Sequence, residues 1–242
     1  MLSKFRKFFV VIPVVYIFVS VFILREKVEY VYFASALLLA LTLTLSYRHK
    51  SDSLVFLARW MTVLAAIGLV AAVILSIEKV ELLADPGRIA SCSLSPVVAC
   101  SPVIASDQAS AFGIANSFIG IFAYTAVFTA GITILAGATK LSKLWWRTLL
   151  SGIFLGSLFS GWLIYQGIFV IGKLCLYCLL VWIVSYTLFW LTTAYCVEKK
   201  HISLGSGMDK LFLRKHDFIT ATYVLLFAII FLKWSDYWIS LF

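Results

Sequence analysis

The amino-acid sequence predicts an all-helical integral membrane protein, and three observations support this fold class. Hydrophobic side chains make up 63% of the 242 residues and charged ones only 13%, whereas soluble domains average about 45–50% apolar and roughly 25% charged residues. The mean hydropathy is +1.04. The apolar residues also form long runs between charged segments. A soluble fold of this length would expose much of this surface to water, and a disordered chain would contain fewer hydrophobic residues.

Seven apolar runs are long enough, or nearly so, to cross a bilayer as helices, which takes about 17–25 residues. In chain order they lie near residues 8–24, 30–45, 54–77, 111–136, 149–171, 176–196 and 218–232. The first run resembles a signal peptide because Lys4, Arg6 and Lys7 precede it. No small-residue cleavage site follows its apolar region, so we predict a retained helix.

The distribution of basic residues predicts how these spans are oriented. With the N-terminus in the cytoplasm, 14 of the 20 Lys and Arg residues lie on the cytoplasmic side, and the outer side receives Arg25, Lys27, Lys79, Arg88, Lys173 and Lys233. This bias obeys the positive-inside rule. The net charge of +9 is therefore interpreted as a topology signal, and no nucleic-acid partner is predicted.

The connections divide the chain into three predicted regions. Residues 1–53 hold two N-terminal transmembrane helices, residues 54–196 form a core of four spans, and residues 197–242 contain a cytoplasmic basic linker and the last helix. The longest connection is the outer segment 78–110, which carries Pro86, Pro96 and Pro102. Long loops of this kind are commonly functional.

Four of the five cysteines fall on the predicted outer side. Cys92 and Cys100 lie in the long outer loop with seven residues between them, and Cys175 and Cys178 form a C-x-x-C pair at the outer start of the sixth span. Cys196, at the cytoplasmic end of that span, is interpreted as a bystander thiol. Cysteines gathered on the oxidising side of a membrane are expected of redox partners.

The position of the C-x-x-C pair suggests thiol chemistry. At a helix start, free backbone N–H groups and the helix dipole stabilise a thiolate, and Lys173 adds a nearby cation. A thiolate is the nucleophile of disulfide exchange. At the membrane surface, such a pair can meet both a water-borne thiol protein and a lipid-dissolved electron acceptor.

The spacing alone leaves alternatives open. The cysteines are compatible with redox exchange, with structural disulfides that staple the loop, or with a metal site of four cysteines. A metal site is disfavoured because no histidine lies near them in the sequence; His49, His201 and His216 are all predicted to be cytoplasmic. A transporter or structural membrane protein is the alternative of another class, although the spans are nearly free of the intramembrane charge that transport would favour.

The order of the motifs resembles the vitamin K epoxide reductase family. A loop cysteine pair comes first, the stretch 116–120 (Asn-Ser-Phe-Ile-Gly) enters the next span, and the C-x-x-C pair opens a later one. The stretch 169–178 is also similar to the active-site stretch of that family. The resemblance runs from about Leu54 to Cys196. The main alternative among oxidoreductases is an unrelated four-helix membrane protein that also forms disulfides. Its C-x-x-C pair precedes its loop pair, so the order in this sequence favours the resemblance to the vitamin K epoxide reductase family.

The resemblance implies a role for each of the four outer cysteines. Cys178 corresponds to the cysteine that faces a quinone and gives it electrons, and Cys175 to the partner of Cys178 in a disulfide. Cys100 corresponds to the loop cysteine that attacks the Cys175–Cys178 disulfide, and Cys92 to the one that meets an external thiol protein.

Three further positions correspond to residues near the quinone in that family. Asn116 matches an asparagine that hydrogen-bonds a quinone oxygen, and Ser106 lies where the family has Ser or Thr near the active site. Trp182 is a departure, because the vertebrate enzymes have a tyrosine there that bonds the other quinone oxygen.

The resemblance also implies a fold and a function. We expect a four-helix bundle that encloses a quinone site, with the outer loop folded over its mouth and further helices at both ends of the chain. The implied enzyme is a quinone-dependent thiol-disulfide oxidoreductase of the bacterial disulfide-forming branch. Its expected acceptor is menaquinone, ubiquinone or a related quinone from the membrane pool, and no metal is expected. No fused thioredoxin-like domain is recognised, so a separate thioredoxin-like protein on the outer face of the bacterial inner membrane is the expected thiol partner.

Overall fold

The computed structural model describes residues 52–203 and 205–239, and the first two predicted spans (8–24 and 30–45) lie outside this part of the chain. Within it the chain folds into helices, of which five are long and apolar enough to cross a membrane. In order, the helices are α1 (Ser53–Ala84), α2 (Cys100–Ala105), α3 (Asn116–Leu135), α4 (Lys143–Tyr165), α5 (Leu176–Glu198), α6 (Ser206–Phe212), α7 (Lys215–Lys233) and α8 (Ser235–Ile239). The predicted all-α membrane fold is confirmed.

The five predicted spans in this part of the chain are all observed, but several of their ends differ. Helix α1 continues beyond residue 77 to Ala84, so that the outer connection starts later than the predicted residue 78. The helix ends shortly before Pro86, whose ring disfavours helical geometry at the preceding residue. Helix α4 starts at Lys143, ahead of the predicted residue 149, because the Ser142 hydroxyl caps it by accepting from the Trp145 N–H at 3.2 Å.

The long helices α1, α3, α4 and α5 form a bundle with a shared apolar core. Helices α1 and α3 approach each other closely where small residues face one another. A Cβ atom on Gly131 would lie 2.6 Å from the Thr62 Oγ1 and 2.9 Å from the Ala58 carbonyl oxygen, so only glycine fits there. Small residues at such contacts are typical of helix packing in membranes, where close approach supplies dispersion energy.

Helix α7 packs on the outside of this bundle, against α5. The Trp190 indole N–H donates to the Thr222 hydroxyl at 3.0 Å, and the Trp190 and Phe218 rings stack with centroids 4.6 Å apart. The Tyr223 hydroxyl donates to the Ile183 carbonyl at 3.0 Å. The region between α5 and α7, predicted as a linker, contains the short helix α6.

Helix α5 has 23 residues and is about 35 Å long, given a rise of about 1.5 Å per residue, so its two ends mark two ends of the molecule. The end called the cysteine end below holds Cys92, Cys100, Cys175 and Cys178. At the opposite end, Trp146 stacks on His201 with centroids 5.5 Å apart, and the Ser53 hydroxyl donates to Glu198 at 2.9 Å. The long helices run alternately from one end to the other, as expected of consecutive membrane spans.

Candidate functional site

The outer loop is attached to the segment before α5 by backbone pairing. Val98 and Leu174 form an isolated parallel bridge, in which the Leu174 N–H donates to the Val97 carbonyl and the Ala99 N–H to the Leu174 carbonyl, both at 2.9 Å. The Lys173 ammonium also donates to the Pro96 carbonyl at 2.6 Å. Because Cys100 follows the first of these segments and Cys175 the second, this pairing brings the two cysteines side by side.

The cysteine sulfurs are clustered. Cys92 and Cys100 form a disulfide, with Cα atoms 5.5 Å apart, and Cys175 and Cys178 are free thiols. The Sγ atoms of Cys92, Cys100 and Cys175 all lie within 4.8 Å of one another. All three residues are buried, with 3% of Cys92, 0% of Cys100 and 1% of Cys175 exposed. Three sulfurs this close can also suit a metal, but in a disulfide two of them offer no thiolate ligand.

The fold at the end of α4 positions Cys175. The chain continues past Tyr165 as a π-helical turn, Gln166–Ile171, a feature often found at functional sites. Gly172 then adopts a left-handed conformation with φ of 68°, which glycine tolerates without a steric penalty. This reversal turns the chain back towards the start of α5.

Cys175 is the N-cap residue of α5. Its Sγ accepts from the Cys178 N–H at 3.4 Å. A hydrogen bond from the Cys178 thiol lowers the pKa of Cys175, burial opposes it, and the backbone N–H groups of Cys178 and Tyr177 lower the pKa further. The net effect is a pKa of Cys175 below its ordinary value. The helix start that the sequence predicted to stabilise a thiolate therefore acts mainly on Cys175.

A buried carboxylate holds the loop next to Cys92. Glu78 is only 5% exposed, and its Oε1 accepts from the backbone N–H of Ser91 at 3.1 Å and from the Ser91 hydroxyl at 2.5 Å. The Arg88 guanidinium lies 3.9 Å from the other carboxylate oxygen and also pairs with Glu81. This group of contacts, the Glu78 tether, connects the end of α1 to the residue preceding Cys92.

A cavity of about 760 Å³ lies between the long helices and reaches the cysteine end. Its wall is mostly apolar, and its charged lining residues in the described part of the chain are Lys79 and Lys173. The loop closes part of its outer mouth through Val103, Ile104 and Ser106. Known ligand cavities have volumes of about 300–1,000 Å³ with few polar groups, so this one is large enough for a small aromatic ligand.

Every predicted quinone contact lines this cavity. Cys175, Cys178, Ser106, Asn116 and Trp182 are all among its lining residues. Cys92 and Cys100 are not among them, but their sulfurs lie within 4.8 Å of the sulfur of Cys175, which does line the cavity. The structure thus brings the predicted site residues to one place, with Cys175 next to both the loop disulfide and the cavity.

The three predicted non-cysteine residues differ in their surroundings. The Asn116 side chain accepts from the Ala111 N–H at 3.1 Å and donates to the Gln108 carbonyl at 2.6 Å, which leaves one amide hydrogen for another acceptor. The Ser106 hydroxyl donates to the Val103 carbonyl at 2.7 Å. Trp182 is buried against Ile168 and Leu174.

The sequence reasoning missed two groups of residues at this site. The span boundary predicted at residue 77 puts Glu78 and Lys79 in the outer loop, although they extend an apolar run by less than one turn and can remain on its helix. Three hydroxyl residues of the cavity wall, Tyr124, Ser160 and Ser185, lie inside predicted spans, and the apolar pattern does not mark them as site residues. The signal that could have found them is a polar side chain in the middle of an apolar span. The helix satisfies its own backbone hydrogen bonds in a membrane, so such a side chain is free for another role.

A comparison with known protein families matches the part of the chain that forms this site. The sequence model described as the Vitamin K epoxide reductase family matches residues 59–193, which include the outer loop, the sulfur cluster and the helices that surround the cavity. No curated protein matches the sequence.

Proposed function

The chain belongs to the vitamin K epoxide reductase family, and on that premise we propose that it oxidises an external dithiol protein and passes the electrons to a membrane quinone. Family membership and the cysteine cluster fit a thiol oxidoreductase embedded in a membrane. The proposal has three parts: the chain belongs to the bacterial disulfide-forming branch of the family, its electron acceptor is a quinone, and its thiol donor is a thioredoxin-like protein.

One observation carries the proposal: the Cys175 sulfur lies within 4.8 Å of both sulfurs of the Cys92–Cys100 disulfide. Exchange requires a thiolate to reach a disulfide sulfur directly, and here only a small movement separates the two. A disulfide that merely stapled the loop would not need a free, buried thiol with a lowered pKa beside it.

The proposed electron path begins at the loop. A dithiol partner reduces the Cys92–Cys100 disulfide and leaves as its own disulfide. The Cys100 thiolate then attacks Sγ of Cys175 in a Cys175–Cys178 disulfide, and Cys178 leaves as a thiolate. Cys92 next attacks Cys100, which re-forms the loop disulfide and releases Cys175. Two electrons and two protons have then moved from the partner to the Cys175/Cys178 pair.

The lowered pKa of Cys175 supports this direction of flow. A thiol with a lower pKa leaves faster in disulfide exchange. The lowered pKa therefore makes Cys175 a good leaving group when Cys92 attacks Cys100 in the mixed disulfide. The arrangement found here, with an oxidised loop and a reduced pair, corresponds to the stage just before the pair is oxidised again.

The cavity fits a quinone as the electron acceptor. Its apolar wall suits a flat ring with an isoprenoid chain, and the free amide hydrogen of Asn116 suits a carbonyl oxygen. A bound quinone accepts two electrons and two protons and leaves as the hydroquinone. Cys178 lines the cavity and closes onto Cys175 as the pair gives up its electrons, while the loop and Trp182 keep water from the reacting sulfurs.

Charge supports an outer location for the cysteine end. In the described part of the chain, Lys79, Arg88, Lys173 and Lys233 lie at that end, whereas most other Lys and Arg residues lie at the opposite end. The positive-inside rule assigns the richer end to the cytoplasm. The outer face of the bacterial inner membrane is therefore the proposed side for partner oxidation.

Cysteine variants of the purified protein test the proposed function. With dithiothreitol as thiol donor and a short-chain quinone as acceptor, we expect Cys178→Ala to lower hydroquinone formation by about 1,000-fold or more, as loss of a covalent nucleophile does in other enzymes. Cys196→Ala is the matched control, because Cys196 is buried at the opposite end of α5, and it should keep the wild-type rate. Wild-type turnover in Cys178→Ala would contradict the mechanism.

A trapping experiment tests the exchange step separately. In the double variant Cys92→Ala, Cys178→Ala, we expect mild oxidation to produce a Cys100–Cys175 disulfide, identified by mass spectrometry of peptides. Pairing of either residue with Cys196 in its place would show that the sulfur cluster does not direct exchange.

A further inference from the structure

Three hydroxyl side chains meet at the cavity wall, one from each of three helices. The Tyr124 hydroxyl of α3 lies 2.9 Å from the Ser185 hydroxyl of α5, and the Ser160 hydroxyl of α4 donates to that same oxygen at 3.3 Å. All three residues line the cavity. We call this group the hydroxyl cluster. It lies within the membrane-spanning part of the bundle, where polar groups are costly and usually functional.

The packing around Tyr124 fixes the direction of its hydroxyl. A Cβ atom on Gly68 of α1 would lie only 2.6 Å from the Tyr124 ring, so the absence of a side chain there makes room for the ring. The ring is held against α1, and its hydroxyl reaches across to α5, within 3.4 Å of the Val181 carbonyl. The aromatic side chain therefore carries its oxygen to a defined place on the wall.

A neighbouring serine, Ser157, also joins two helices but plays no part in the cavity wall. Ser157, one turn before Ser160 on α4, donates to its own helix at the Ile153 carbonyl and lies 3.3 Å from the Ser185 carbonyl of α5. It joins the same two helices but does not line the cavity. The hydroxyl cluster differs in that its members face the cavity, where a ligand can reach them.

The distance between the cysteine end and the hydroxyl cluster matches the length of a hydrogen-bonded para-quinone that lies along the bundle axis. Cys178, Trp182 and Ser185 follow one another on one face of α5, and Ser185 lies about 10 Å further along the axis than Cys178. On α3, Asn116 and Tyr124 are about 12 Å apart along the axis. Two hydrogen bonds of about 2.8 Å each, with a para-quinone between them, cover a similar length.

We propose that the hydroxyl cluster is the inner anchor of the quinone, which binds the oxygen that points away from the outer mouth. This inference rests on the proposed function and adds a second polar contact, made by Tyr124 and Ser160. A hydroxyl both donates and accepts hydrogen bonds. The cluster can therefore donate to a quinone carbonyl and, after rotation of its O–H groups, accept from the hydroxyl of the hydroquinone.

The test compares quinone binding in Tyr124→Phe and Ser160→Ala with binding in Ser157→Ala, using the full chain in detergent. The ligand is a short-chain para-benzoquinone labelled with ¹³C at one carbonyl, so that infrared spectra report each carbonyl separately. We expect Tyr124→Phe to weaken binding by about tenfold, the value of one hydrogen bond, and to raise the stretching frequency of one carbonyl. Ser157→Ala should change neither.

The outcomes separate this inference from the proposed function. If wild type binds the quinone and the carbonyl frequencies are the same in Tyr124→Phe and Ser160→Ala, the inner anchor is wrong while the function stands. If wild type neither binds nor reduces the quinone, the proposed function fails. Reduction of the Cys92–Cys100 disulfide by dithiothreitol should proceed at the wild-type rate in Tyr124→Phe, which distinguishes lost anchoring from a disturbed fold.

Discussion

At the scale of single residues, Cys175 differs from the other cysteines because it occupies two structural roles. It is the N-cap of α5, where its sulfur accepts the Cys178 N–H, and it is the thiol closest to the loop disulfide. The same backbone geometry that starts the helix therefore stabilises the thiolate used in exchange. Cys196, a buried thiol in the same helix, has no disulfide beside it in the described part of the chain.

The pKa of Cys175 gives a prediction at this scale. Because the Cys178 thiol is the largest cause of the lowered pKa, the thiolate of Cys175 should persist to lower pH in wild type than in Cys178→Ala. The difference in ultraviolet thiolate absorbance between each protein and its Cys175→Ala counterpart, followed against pH, measures this. We expect the midpoint to move to higher pH in Cys178→Ala and to stay in place in Cys196→Ala. An unchanged midpoint in Cys178→Ala would contradict the assigned cause.

At the scale of elements, the outer loop is held at several points along its length. The bridge between Val98 and Leu174 fixes its middle, the Lys79 ammonium donates to the Ile104 carbonyl at 2.7 Å, and the Glu78 tether fixes the part before Cys92. Near Cys100, the Ser93 hydroxyl accepts from the Cys100 N–H at 3.2 Å. Both loop cysteines thus have fixed backbones, so exchange requires movement of side chains more than of the loop.

The Glu78 tether gives a prediction about this element. Glu78→Leu leaves the Ser91 N–H and hydroxyl without their acceptor, at a cost of about 1.5–3 kcal/mol for bonds to a charged group, whereas Glu78→Gln retains an oxygen acceptor. We expect dithiothreitol to reduce the Cys92–Cys100 disulfide several-fold faster in Glu78→Leu, with a smaller change in Glu78→Gln. Equal rates in wild type and Glu78→Leu would show that the tether does not position Cys92.

At the scale of the whole molecule, local patterns predicted the spans and the cysteine motifs, but they did not predict contacts between distant segments. The apolar runs indicated α1, α3, α4, α5 and α7 because hydrophobicity is the main signal that identifies membrane-spanning helices. The pairing of Val98 with Leu174 and the convergence of Tyr124, Ser160 and Ser185 depend on how the helices pack. The predicted position of Glu78 in the outer loop is wrong for a related reason. Its carboxylate stays on α1 because Ser91 and Arg88 of the loop bind it there.

The arrangement of the helices gives a prediction for the whole molecule, namely that its two ends face different compartments. Asp85 lies at the cysteine end and Lys140 at the opposite end, and both are exposed. In intact bacterial cells, a membrane-impermeant maleimide should label Asp85→Cys but label Lys140→Cys only after the inner membrane is opened. Wild type is the control for background, because Cys175 and Cys196 are buried and any labelling of the partly exposed Cys178 is measured there. Labelling in the reverse pattern would place the cysteine end in the cytoplasm, where reducing conditions oppose disulfide formation, and would rule out an outer thiol partner.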